Sequence, residues 1–330
     1  LNNAKVDREA YNKYVDNLLK GRRDAKLNQK ANFGALQSYG FYGKYNSKLN
    51  VPDSTELVTT NPQDVVNMIA ALKNYKHDVV YYGPLAMKQL VATVDKNHIT
   101  AKTLQDAPEN KPYKMVETPK NEILLAPYDA KNIYMMQLHN ENQKWTPEDE
   151  AKISLFNEYF GGGMNGIVFQ ELRESRGLAY SAFADYSTTK RKEQQTNHAY
   201  TYIISQNDKM MDCIRVFNNI LDTMPQSQPA FELAQQAAMK RIASQRITKA
   251  NIIFSYLGNK RIGMNYDIRR GVYEALPKLT LEDIVKFEHD NMANKPWLYL
   301  ILGDEKNLDM KSLEKIAPIK RVSTEEIFGY

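Results

Sequence analysis

Residues 158–186 read EYFGGGMNGIVFQELRESRGLAYSAFADY. A helix ends at Phe160, and Gly161, Gly162 and Gly163 follow it. A second short helix carries Phe169 and Arg173, Gly177 makes a turn, and a strand starts near Ala179. Two polar groups stand out: Arg173 close to the end of the helix, and Tyr180 seven residues later at the start of the strand. The glycines sit between two helices, with neither G-K-S/T nor G-x-G-x-x-G after a strand. They read as a sharp turn that lets the helices pack closely, not as a phosphate cradle. Glu171 and Glu174 lie on one short exposed helix and read as solvated carboxylates, not as an acid–base pair.

Outward from this stretch the chain alternates helix and strand. Upstream, residues 122–126 and 132–138 read as strands, and Thr146-Pro147-Glu148-Asp149 caps a helix with Ala151, Leu155, Phe156, Tyr159 and Phe160 on its buried face. Downstream come a strand over 199–204, a helix marked by Met210, Ile214, Phe217, Leu221 and Met224, and a long helix from Ser227. Helices over 252–262 and 280–292, a strand over 297–302 and a helix over 308–316 complete this part. The first third reads as a helix over 5–27, a second over 29–42, and a loop to Leu57. Asn61-Pro62 then starts a helix with Val65, Met68, Ile69 and Leu72 on one face. Residues 78–83 read as a strand and 84–94 as a short helix, before a proline- and lysine-rich linker.

The two parts resemble each other. Lys30-Ala31-Asn32 recurs as Lys249-Ala250-Asn251, and Asp64-Val65-Val66 as Asp283-Ile284-Val285, at the same offset, 249 − 30 = 219. Tyr81-Tyr82-Gly83 then falls on Ile301-Leu302-Gly303, with the offset grown by one. Ordered matches of this kind make a repeat. The expected division is therefore residues 1–105 as the latter portion of a truncated unit, 106–120 as linker, and 121–330 as a complete unit. The opening Leu1-Asn2-Asn3-Ala4 does not look like an initiator sequence, so the chain reads as a piece of a larger polypeptide.

Composition narrows the classes of function. A chain of 330 residues, 42% hydrophobic and 25% charged, suits ordinary globular units. No run of eighteen apolar residues occurs, so no membrane span is expected. The net charge of +5 is mild, and its basic groups, such as Lys20-Gly21-Arg22-Arg23 and Lys190-Arg191-Lys192, are short and scattered. They read as solvated faces, and no nucleic-acid partner is expected. The single cysteine, Cys213, excludes an internal disulfide and a cysteine-based zinc site; it lies among Met210, Ile214 and Phe217 as a buried thiol. The compartment stays open.

The ordered pattern of a glycine-rich break, Phe169-Gln170-Glu171-Leu172-Arg173-Glu174, then Arg176-Gly177-Leu178-Ala179-Tyr180-Ser181 resembles the pitrilysin/insulinase-type (inverzincin) zinc metallopeptidases and the mitochondrial-processing-peptidase-like proteins. The order of elements extends that resemblance over most of the chain. It implies an α+β fold of two pitrilysin-like units, the first truncated, each a mostly antiparallel sheet with helices packed on one face. It also implies the non-catalytic, C-terminal, substrate-enclosing half of a zinc metalloendopeptidase. The partners implied are a peptide substrate and an N-terminal catalytic half that carries the zinc. That half would hold H-x-x-E-H, whose histidines bind the metal and whose glutamate acts as base. Here His77, His98, His139, His198 and His289 are scattered, and none begins H-x-x-E-H. No cofactor is expected in this segment, and His139-Asn140-Glu141 reads as a surface loop. In the family an arginine and a tyrosine spaced as Arg173 and Tyr180 are reach across to substrate, orienting it and stabilising the transition state. Both are donors suited to a peptide carbonyl that gains negative charge. Spacing alone favours a plainer pair, an arginine capping its own helix and a half-buried strand aromatic; the surrounding motif favours substrate contact. A catalytically inactive scaffold or partner subunit for protein binding is the alternative.

Overall fold

A mixed sheet of six strands forms the frame of the computed structural model, which describes residues 3–191 and 194–330. Leu1, Asn2 and Lys192, all part of features read above, lie outside the described residues, as does Glu193. The strands are β1 Glu122–Pro127, β2 Asn132–Lys144, β3 Ala179–Arg191, β4 Gln194–Gln206, β5 Leu298–Gly303 and β6 Ile319–Arg321. They run in the order β3-β4-β2-β5-β1-β6. β3, β4, β2 and β5 pair antiparallel in succession, whereas β1 pairs parallel with both β5 and β6.

The first third carries helices α1 Arg8–Lys26, α2 Gln29–Tyr42, α3 Ser54–Thr59, α4 Pro62–Ala71 and α5 Met87–Asn97. The remainder carries α6 Asp149–Phe156, α7 Ile167–Phe169, α8 Met210–Asp222, α9 Gln228–Ser244, α10 Asn251–Arg261, α11 Ile268–Ala275, α12 Leu281–Asn291, α13 Met310–Ile316 and α14 Thr324–Phe328. Caps fix several of the starts. Asn61 accepts from Gln63 N–H with Pro62 in the first turn of α4, and Ser227 accepts from Ala230 N–H at the start of α9.

Strand alternation divides the core into two layers. Ile123, Leu125, Ile133, Met135, Tyr299 and Ile301 face α6, α8, α9 and α11–α13. Leu124, Met136, Leu138, Leu298, Leu300 and Leu302 face the other way, onto Phe33, Leu36 and Tyr39 of α2 and Ile327 and Phe328 of α14. Both faces of β1 and β5 are thus buried, which accounts for their unbroken apolar runs ILLA and LYLIL. The α+β sheet-and-helix expectation holds, with the long helices of the sheet's own unit on one face. The opposite face is roofed by α2 from the first third. Gly40 permits the close approach of that helix, because a Cβ there would run into the Leu300 side chain.

Several local readings need correction. Residues 78–82 form no strand and pair with none among the described residues, and Val79, Val80 and Tyr82 are exposed. A strand needs neighbours for its backbone groups, and none of the described residues pairs with this segment. The helix expected from Pro84 starts only at Met87. His139 and Asn140 are not in a surface loop but on β2, 4% and 1% exposed. Their polarity is met inside: Asn140 Nδ2 donates to Val116 O at 2.7 Å, and His139 Nδ1 lies 2.8 Å from Pro296 O. Those bonds also pin the end of the proline-rich segment, where Thr118 N–H donates to Asn140 O.

One buried acid sets a pH dependence. Glu288 on α12 is 2% exposed, and its Oε1 has no hydrogen-bond partner among the described residues. Burial first, and the nearby Asp222 charge second, push its carboxyl from 4.5 up to about 8. The folded state therefore holds this proton more tightly than the unfolded chain does. The group's contribution to stability is complete below about pH 4.5 and is lost as pH rises through 8. Glu288→Gln is expected to stabilise the protein at pH 8 by on the order of a few kcal/mol and to flatten that slope. Denaturant unfolding across the range checks it, and an unchanged slope would remove Glu288 as its cause.

Candidate functional site

Two π-helical turns shape the region around Arg173. α6 runs on into a wide turn over Asn157–Gly161, and α7 into another over Gln170–Glu174. Such turns realign the residues that follow them. Gly162 leaves the first helix extended, and Gly163 turns with φ +71°. The second helix closes at Gly177, φ +57°, whose N–H donates to Arg173 O at 3.0 Å, while Leu178 N–H donates to Leu172 O at 2.9 Å. β3 then begins at Ala179, beside β4. The β3–β4 register slips between Ala179 and Ser181, so Tyr180 has no residue opposite it. A bulge of this kind re-aims a side chain, and Tyr180 is 76% exposed.

The same bulge and turn bring the two singled-out residues together. The Arg173 guanidinium carbon lies 5.0 Å from the Phe169 ring centre and 5.8 Å from that of Tyr180. Contact of a guanidinium with two rings fixes its plane without using its donors. No hydrogen bond from Arg173 to the rest of the chain forms among the described residues, and its ion contact, Glu174, is 4.0 Å away. Helix capping falls to another residue: Arg176 Nη1 donates to Glu171 O at 2.9 Å and pairs with the Glu171 carboxylate. Arg173 and Tyr180 therefore present a fan of N–H donors and one phenol on the exposed side of a sheet edge. Phe169, four residues before Arg173, acts as its platform. The i,i+4 spacing of an aromatic and an arginine is the sequence signal that could have identified it.

The edge itself is held by the first π-turn. Asn157 Nδ2 donates to Tyr186 O at 2.9 Å, and Tyr186 N–H donates to Asn157 Oδ1 at 2.8 Å. Gly161 lies flat against the carbonyl of Ala184, so close that a Cβ would overlap that oxygen. Behind the strand, Cys213 is buried and its Sγ contacts Leu178 O and Ser205 Oγ. Burial pushes its thiol up, as fits a structural rather than a reactive cysteine.

The residues present do not fit a catalytic zinc. Among the described residues no three His, Cys, Asp or Glu side chains converge as a metal would need. His77 and His98, far apart in sequence, meet with Nε2 atoms 2.6 Å apart, a pairing that the sequence did not suggest. His139 and His198 are buried, and burial lowers the basicity of both. Among the described residues no helix is long and apolar enough to cross a membrane.

Residues 77–239, just under half of the chain, match the model of the Peptidase M16 inactive domain. The crystal structure of a peptidase M16 inactive domain from Pseudomonas fluorescens superposes with a TM-score of 0.66 at 16% identity, over 92% of this chain and 72% of that one. A conserved protein from Enterococcus faecalis gives 0.70 at 11% identity, over 92% and 70%. The ferredoxin protease FusC, solved with Arabidopsis ferredoxin, gives 0.67 at 13% identity over 91% of this chain, which spans about a third (32%) of that protease. No curated protein sequence matches the chain. At these identities the solved structures speak for the fold alone. Residues 77–239 are thus similar to the M16 inactive domain, and the solved structures share the fold of this chain.

Proposed function

We propose that this chain is the substrate-enclosing, non-zinc-binding half of a zinc metalloendopeptidase that hydrolyses peptides. One observation carries the proposal: Arg173 is held by the rings of Phe169 and Tyr180, its side chain making no hydrogen bond among the described residues, beside a Tyr180 turned outward by a bulge. A structural arginine would spend its donors on the chain. This pair instead offers guanidinium and phenol donors to an oxygen outside it, which is what a peptide carbonyl gaining negative charge requires. Arg173 would orient the substrate carbonyl, and Tyr180 would donate a hydrogen bond as the charge develops. The metal, its ligands and the general base belong to a companion half. Metal supplies the polarised water of such reactions.

The division into units is part of the proposal. Residues 1–105 are read as the latter portion of a truncated unit, 106–120 as the connection, and 121–330 as a complete one. The exposed apolar residues of α4 and the segment after it, among them Met68, Leu72 and Val79, support that reading, since they lack the layers that cover α12 and β5.

The alternative is a catalytically inactive scaffold or partner subunit, which the match to an inactive domain favours equally. A companion half with H-x-x-E-H and a downstream glutamate ligand discriminates in favour of the peptidase; its absence favours the scaffold. Metal analysis of this chain after equilibration with zinc and dialysis is expected to find no stoichiometric metal. Zinc retained one-to-one would mean that the chemistry has been placed in the wrong half.

A further inference from the structure

We infer that the cavity on the α2 side of β3 and β4 takes an aromatic side chain of the enclosed peptide, with an acidic residue beside it at Arg191. The inference rests on the reading above that this chain encloses a peptide, and it adds a second contact on the same half.

Strand register builds the floor of the cavity. Tyr202 stands opposite Phe183, Tyr200 opposite Asp185 and His198 opposite Ser187, so by strand alternation these residues share one face of the sheet. It is the face onto which α2 packs Phe33 and Leu36. That helix ends at Tyr42, and a cavity of about 640 Å³ lies between its last turn and the two strands. Half-buried rings form its walls. Phe183 stacks on Tyr202 with ring centres 4.9 Å apart, His198 lies near-parallel to Tyr200 at 6.2 Å, and Phe41 meets His198 edge-on at 6.3 Å.

A hollow of this size, walled by rings and carrying a few polar groups, has the make-up of a ligand site. Two of those polar groups define the occupant. His198 lines the cavity and is 7% exposed, and its Nδ1 has no hydrogen-bond partner among the described residues. Burial pushes its imidazole down to about 4, so the ring is neutral and lacks a hydrogen bond, not a counter-charge. A peptide amide, with both a donor and an acceptor, can supply that bond. Arg191 is the second group. Its guanidinium carbon lies 5.8 Å from the Tyr42 ring centre, and its side chain reaches only the Tyr113 carbonyl, at 3.4 Å. No carboxylate pairs with it among the described residues, whereas the neighbouring Lys190 is paired with Glu150. A stacked guanidinium suits a carboxylate, and flat walls suit another ring. β3 also joins the cavity to the candidate site. Ser187 is seven residues beyond Tyr180, about 24 Å along the strand, a span that about seven residues of extended peptide cover.

The test is a binding measurement without turnover, so it fails or succeeds apart from the roles of Arg173 and Tyr180. A capped five-residue peptide with Trp-Asp at its centre, too short to reach Tyr180 from the cavity, is titrated calorimetrically into this chain and into the natural polypeptide that contains it. Replacing the peptide's Trp by Ser is expected to weaken binding at least tenfold, and its Asp by Asn at least threefold. In the protein, His198→Phe keeps a ring and removes the unpaired nitrogen. It should weaken the peptide at least fivefold while the unfolding midpoint holds or rises, which a merely structural histidine would not show. Arg191→Gln should abolish the preference for Asp over Asn and spare the preference for Trp. No binding, or binding indifferent to the peptide's Trp or to His198→Phe, overturns the inference; impaired turnover in the Arg173 and Tyr180 variants would then still stand for the proposed function. Indole-3-acetate bound as tightly as the peptide overturns it in favour of a free aromatic acid. Binding by this chain that the natural polypeptide lacks overturns it by showing that the cavity is covered there.

Discussion

In the peptidase proposed above, Arg173→Ala is expected to lower kcat/KM for peptide hydrolysis by more than tenfold, a loss of about 1.4 kcal/mol or more of transition-state stabilisation, with the unfolding midpoint unchanged. Stability should hold because the Arg173 side chain makes no hydrogen bond among the described residues and has only a 4.0 Å contact with Glu174; an exposed pair of that length is worth little. Turnover should fall because a donor aimed at developing charge works in the transition state more than in the ground state. Tyr180→Phe is the sharper variant. It keeps the ring that packs 5.8 Å from Arg173 and removes only the hydroxyl. It should also cost more than tenfold, mainly in kcat. If both variants turn over peptide at the parent rate, the substrate-contact role is wrong, whatever the fold.

Gly161→Ala is expected to be the most disruptive single substitution in the region, costing on the order of 3 kcal/mol or more. Its Cβ would overlap a backbone carbonyl, that of Ala184, which cannot swing away as a side chain can. Either β3 or the π-turn must move, and the two Asn157–Tyr186 hydrogen bonds join the same pieces. Gly163→Ala is the control. It has a positive φ of +71° but nothing within 4 Å of its added carbon, so it should cost only about 1–2 kcal/mol of backbone strain. Urea unfolding of the two variants measures the difference. Equal costs would mean that the close approach of Gly161 to β3 does not govern the stability of this edge.

Much of this architecture could be read from residue patterns. The buried runs at 122–126 and 298–302 announce strands covered on both faces, and Asn61-Pro62 and Ser227 announce helix starts. What could not be read depended on partners. Residues 78–82 carry a strand's composition, but a strand exists only beside another, so the local pattern misled. His139 and Asn140 look like loop residues until Val116, Thr118 and Pro296 arrive from distant parts of the chain to satisfy them. At the candidate site, the spacing of Arg173 and Tyr180 was visible from the start. Their meeting was not, because it depends on a π-turn and a bulge, each of which adds a residue without a sequence signature of its own. The capping role open to Arg173 on spacing alone is filled by Arg176, which only coordinates can decide.

Reconstitution separates a working half of a peptidase from a scaffold. This chain is mixed with the zinc-bearing half proposed above, prepared separately, and hydrolysis of an unstructured peptide is followed. Turnover is predicted to need both parts, and to fall more than tenfold when the added chain carries Arg173→Ala or Tyr180→Phe. Full turnover by the zinc-bearing half alone, or a mixture indifferent to both substitutions, would contradict it and leave the chain as a scaffold.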